Sequence, residues 1–186
     1  MAVQLLRRSF TVEDYHRMAR AGILREDDRV ELLDGEILEM TPIGSRHAAC
    51  VDRLNQLFSD QVRRRAIVRI QNPIRLSERS EPQPDLTLLR PRPDFYAQTH
   101  PGPGDIFLVV EVAETSVEVD RDVKVPLYAR AGILELWLVD LAGECIEVSR
   151  TPTPQGYQEV RRVRRGDRLV PDAFPDLEFV PDTIIG

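Results

Sequence analysis

Lysine is almost absent from this 186-residue chain: 24 of its 25 basic residues are arginine, and Lys124 stands alone. A compact ammonium can hold a water or exchange a proton where a guanidinium cannot, so that position is worth tracing. Cysteine is scarce as well. Cys50 and Cys145 form neither a C-x-x-C pair nor a dense framework, which excludes a disulfide-stapled secreted scaffold and points to reduced thiols in a cytoplasmic protein. No stretch approaches the roughly 18 apolar residues that cross a bilayer. The N-terminal MAVQLLRRSFTVEDYHRM lacks a long apolar segment with a small-residue cleavage site, so secretion is not expected either. Positive charge is in deficit, 25 basic against 31 acidic residues, and the net charge of −6 repels a polyanion at long range. Any nucleic-acid contact must be local.

What is present fits one domain over residues 1–186, with 42% hydrophobic and 30% charged residues and no internal repeat. A chain of this length buries roughly 70% of its unfolded surface and needs no covalent staple. Thr11-Val-Glu-Asp14 has the form of a capping box and opens a short helix that stops near Gly22. Residues 29–33 and 36–40 flank Asp34-Gly35, the pair best suited to a type I′ turn, and predict a β-hairpin. Ser45 is placed to cap a long helix in which Val51, Leu54, Leu57, Phe58 and Val62 recur at three-and-four spacing, running to about Arg65. Short strands are expected at 67–70, 73–76 and 86–89, followed by a proline-rich loop over 91–105.

The uninterrupted apolar run 106–110 reads as a strand covered on both faces, the best candidate for the centre of the sheet. A second helix is expected between 120 and 131, ended by Gly132. Further strands are expected at 134–139, 145–149 and 158–163, the last of these on the outside, with a final edge strand at 177–180. Strands mixed with two packed helices indicate an α/β or α+β fold.

Three residues carry the chemistry. Glu111 follows five apolar residues at the end of a strand that ought to be buried, and an unpaired carboxylate there costs several kcal/mol. Asp85 opens the run of strand 86–89 behind Pro84. Two such acids on adjacent strands can share one Mg²⁺ or Mn²⁺, although strand termination by Asp85 and an arginine pair for Glu111 are ordinary alternatives. Lys124 lies thirteen residues after Glu111, where a helix can fold back over the strand end. Pro126 disfavours helical geometry at Val125, so the regular helix is expected to start at Pro126 and leave Lys124 on its approach. A two-carboxylate glycosidase would give the lysine no task.

At these residues the chain resembles the Uma2 family, a branch of the PD-(D/E)xK nuclease superfamily. The likeness rests on Arg29-Val-Glu-Leu-Leu-Asp-Gly-Glu36, His47, Pro84-Asp85-Leu86, Val110-Glu111-Val112, Asp122-Val-Lys124 with Tyr128, and Ala131-Gly-Ile-Leu-Glu-Leu-Trp-Leu-Val-Asp140, in that order over about residues 10 to 150. It implies a restriction-endonuclease-like α/β fold, a mixed β-sheet core flanked by helices with an N-terminal β-hairpin. It also implies a metal-dependent endonuclease acting on DNA as a homodimer. Asp85 and Glu111 would then bind Mg²⁺ or Mn²⁺. Lys124 would be the superfamily's lysine, displaced into the next helix because position 113, where the basic pattern puts it, is Ala113. Glu31 would assist as a fourth ligand or water-orienting acid, and His47 would contact the scissile phosphate.

Arg63, Arg64 and Arg65, with Arg69, form one basic patch for flanking phosphates, and Arg161, Arg162, Arg164 and Arg165 form another. Trp137 and Tyr128 read as core. The competing expectation is a nuclease-like fold used for binding or assembly without turnover, which the acidic net charge and the missing lysine at 113 favour.

Overall fold

The capping box and the hairpin turn form as their residue types dictate in the computed structural model, which describes residues 8–186. Thr11 caps α1 (Val12–Arg20) reciprocally: the Asp14 N–H donates to Thr11 Oγ1 at 3.1 Å, and the Thr11 N–H donates to Asp14 Oδ2 at 3.1 Å. β1 (Val30–Leu33) and β2 (Glu36–Glu39) pair antiparallel around Asp34 and Gly35. Both turn residues have positive φ, 48° and 84°, as a type I′ turn requires. α2 (Ser45–Val62) follows, and then the sheet begins.

Six strands form one mixed sheet in the order β3 (Ile67–Ile70), β4 (Leu86–Leu89), β5 (Ile106–Ala113), β6 (Glu135–Asp140), β7 (Cys145–Thr153) and β8 (Gly156–Arg164). Every neighbouring pair is antiparallel except β5 and β6. That parallel pair needs a crossover, which carries α3 (Val117–Val119), a π-helical turn (Asp120–Lys124) and α4 (Val125–Arg130).

Helices cover both faces. On one, α2 sets Leu54, Phe58 and Val62 against Leu88, Val110, Val112 and Trp137, and the C-terminal Phe179 with α5 (Pro181–Ile185) closes that side. On the other, Leu127 and Tyr128 of α4 pack with Leu33 and Ile74 on Leu89, Ile106, Val109 and Leu136. Strand alternation has a consequence for the site. Since Val110 and Val112 face α2, Glu111 must point to the α4 side.

Several sequence expectations are corrected. Ser45 does not cap α2; Gly44 holds that position, where a Cβ would come within 2.7 Å of Glu114 Oε2. α2 ends at Val62, and Arg63–Arg65 forms a separate 3-10 turn. Residues 73–76 form no strand: Ile74 and Leu76 donate to the Pro82 and Ser80 carbonyls and Arg75 donates to Pro101, and neither of those segments is itself a strand. Residues 177–180 contribute only the isolated bridge between Leu169 and Phe179.

The helix after β5 starts at Val117, and Pro126 does not delay it. Val125 stays helical at φ −56°, ψ −48°, and its N–H reaches back five residues to the Asp120 carbonyl. The wider turn sits directly before a residue with no N–H to give. Lys124 therefore lies inside the helical segment rather than on its approach. No helix among the described residues is long and apolar enough to cross a membrane.

Candidate active site

Register brings the first two acids together. Leu86 pairs with Val110, so Asp85, one residue further out, lies opposite Glu111 with its side chain on the same face of the sheet. Directly opposed residues hold their Cβ atoms about 4.5–5.5 Å apart. Asp85 is fixed by three donors or partners: the Val112 N–H gives to Oδ2 at 2.9 Å, Gln71 Nε2 gives to Oδ1 at 3.1 Å, and His47 Nε2 lies 3.0 Å from Oδ2.

The α4 side supplies the amine. Lys124 Nζ lies 3.0 Å from Glu31 Oε1, 3.3 Å from Glu111 Oε1 and 3.9 Å from Asp120 Oδ1. All four groups are buried. The hairpin delivers Glu31, whose other oxygen accepts the Gln83 N–H at 3.1 Å, so the carboxylate is turned inward rather than to solvent. The Tyr128 hydroxyl donates to Glu111 Oε1 at 2.6 Å, and Ser116 Oγ donates to Asp120 Oδ2 at 2.6 Å.

Burial governs the electrostatics. It pushes the Glu111 carboxyl up to about 8; the Lys124 ammonium pulls the other way, and the Asp120, Asp85 and Glu31 carboxylates reinforce the rise. Asp120 is raised for the same primary reason. For Lys124 burial acts to lower the pKa, but Glu111, Glu31 and Asp120 outweigh it and hold the ammonium well above its ordinary value, so it stays charged. His47 is raised, first by its hydrogen bond to Asp85.

Asp85, Glu111, Lys124, Glu31 and His47 all line one pocket of about 130 Å³, at the N-terminal end of α2. Arg63, Arg64 and Arg65 sit at the opposite end of that helix, roughly 24 Å from His47 at 1.5 Å per residue. Arg65 is also engaged there by Asp176 at 2.8 Å. Sequence reasoning missed Asp120 and took Tyr128 for core alone. Their signal was a spacing of four: Asp120, Lys124 and Tyr128 recur along one helical stripe. Arg29, exposed, also lines the pocket.

Comparison with known proteins now bears on this geometry. The model of the Uma2 family, described as "Putative restriction endonuclease", matches residues 12–182. The chain belongs to the Uma2 family. A solved structure described as a "putative nuclease belonging to DUF820" from Anabaena variabilis superposes on this Uma2 protein with a TM-score of 0.72 at 15% sequence identity, covering 95% of this chain and 97% of that one. That likeness establishes the fold, a mixed sheet flanked by helices. No curated protein matches the chain. Family membership supports a nuclease function.

The donor set of this Uma2 protein suits a hard divalent cation. Among the described residues no group of three or more His, Cys, Asp or Glu side chains is arranged to hold a metal by itself. Mg²⁺ asks for less, one or two carboxylates with waters and substrate phosphate completing its shell. Asp85 and Glu111 meet that count, and the surplus of acids over Lys124 and His47 leaves negative charge in the pocket that a cation would offset.

Proposed function

We propose that this Uma2 protein is a divalent-metal-dependent endonuclease that hydrolyses DNA phosphodiester bonds and works as a homodimer. The observation that carries the reading is the convergence of Lys124 on Glu111 and Glu31 beside Asp85, inside one pocket. A bound Mg²⁺ or Mn²⁺, held by Asp85 and Glu111, supplies Lewis-acid polarisation of the phosphoryl group. The chain's own residues do the rest. Lys124 positions the attacking water and offsets the charge that builds on the phosphoryl oxygens, in a site where burial strengthens each interaction. Glu31 holds the ammonium in place, and Tyr128 fixes Glu111 through one oxygen. His47, whose pKa is raised by its hydrogen bond to Asp85, offers a donor to a phosphate oxygen. Arg29 grips the backbone at the rim. Arg63, Arg64 and Arg65 reach a duplex only roughly seven phosphates away along one strand, at about 3.4 Å per phosphate.

The test is cleavage of supercoiled plasmid in Mg²⁺ or Mn²⁺. Asp85→Asn, Glu111→Gln and Lys124→Met should each slow nicking by about 100-fold or more while the chain stays folded. Undiminished cleavage by folded Asp85→Asn would remove the assignment. A wild-type protein that neither cleaves nor takes up Mg²⁺ in calorimetry would pass the fold to the binding or assembly role.

A further inference from the structure

β8 pairs with β7 alone, and along residues 157–163 no backbone group among the described residues bonds to any other segment. A nine-residue edge of this kind is a template for another strand, and sheets usually blunt it with a bulge, a cover or like charges. β8 carries one acid, Glu159, and three arginines, Arg161, Arg162 and Arg164; only the central pair, Glu159 and Arg161, is of opposite sign and symmetrically placed. The strand runs Gly156–Arg164, so its midpoint is Val160, with Glu159 on one side and Arg161 on the other.

A second copy laid antiparallel about a two-fold axis at Val160 uses the whole strand. Glu159 then faces the partner's Arg161, Arg161 faces the partner's Glu159, and the Tyr157 backbone lies opposite that of the partner's Val163. Val160, 62% exposed in the single chain, meets its own counterpart. Sliding by two residues, the smallest step that keeps the faces matched, sets Glu159 or Arg161 against itself. The register is therefore selected by charge. Both side chains are exposed at the edge, Glu159 steadied by the Thr151 hydroxyl at 2.9 Å and Arg161 donating to the Arg168 carbonyl at 3.4 Å, while Arg162 is tied back to Glu147.

We infer that β8 is the self-association surface of this protein: two copies join antiparallel about Val160, and their six-stranded sheets continue as one. The inference rests on the homodimer of the proposed function and says where it forms; a chain that stays monomeric removes both, a dimer indifferent to Arg161→Glu removes only this surface, and the chemistry of the pocket is tested apart, since assembly is measured without DNA or metal.

Sedimentation over a concentration series should show a reversible dimer. Arg161→Glu puts like charges at both symmetric pairs and should weaken the dimer by about tenfold or more. The double variant Glu159→Arg/Arg161→Glu restores opposite charges and should recover most of the affinity. With Val160→Cys, oxidation of the two facing thiols by added diamide should link the copies, the native Cys50 and Cys145 being buried. A wild-type chain that stays monomeric, a dimer indifferent to Arg161→Glu, a double variant that fails to recover, or no link through position 160 would each overturn it.

Discussion

On one face of the sheet Phe58, Phe179 and Trp137 stack with centroids 4.9 to 6.4 Å apart; on the other, Glu31, Glu111 and Asp120 crowd around the ammonium of Lys124. The first face is held by apolar burial and tight packing, which pH and ions hardly touch. The second keeps ionisable groups out of water at a desolvation penalty that their mutual attraction only partly repays. Such an arrangement costs stability that the apolar face does not give up. Stability should therefore respond to different agents on the two sides.

Phe58→Ala should have the largest effect, a loss of about 3–5 kcal/mol from transfer and cavity terms, read as the urea midpoint. Because it lies on the α2 face, the loss should be the same at about pH 5 and about pH 8. A pH-dependent penalty would break the contrast. Lys124→Met comes next, at about 3 kcal/mol, because it leaves buried carboxylates without their counter-charge. Here the penalty should shrink as pH falls and the acids take up protons, which the same denaturation series would reveal.

The smallest effect sharpens the comparison through Glu111. Its carboxyl titrates from an ordinary 4.5 when unfolded to about 8 when folded. A raised folded value means that folding favours the protonated form. The contribution is complete below about pH 4.5 and is lost as pH rises toward 8. In EDTA the wild type should thus lose stability across that window relative to Glu111→Gln. Parallel pH profiles for the two proteins would show that Glu111 does not titrate there.

Much of the scaffold was legible because local chemistry and tertiary context agreed. Asp34-Gly35 could hardly be anything but a tight turn, and the apolar run at 106–110 could be satisfied only by cover on both sides. Residues 73–76 and 177–180 have the same branched composition as true strands, yet no neighbouring strand is available to them, and a strand is defined by its partner. Pro126 misled for a related reason. The rule against helix before proline describes an isolated chain, and here packing of Leu127 and Tyr128 on the sheet stabilises a widened turn that the rule does not anticipate.

In the candidate site, Asp85, Glu111 and Lys124 could be singled out from the sequence, because a buried-strand acid and a solitary lysine stand out against their background. Tyr128 and Asp120 could not, since a tyrosine among apolar residues and an acid on a helix look ordinary until something faces them. By itself the sequence determined which residues had to be buried, where the chain turned, and which three side chains were chemically out of place. Tertiary structure alone decided who met whom: the β4–β5 register set Asp85 opposite Glu111, the hairpin brought Glu31 inward, and the crossover carried Lys124 onto them. These contacts join residues far apart in the chain, and their geometry is fixed by packing and strand pairing, which no local pattern encodes.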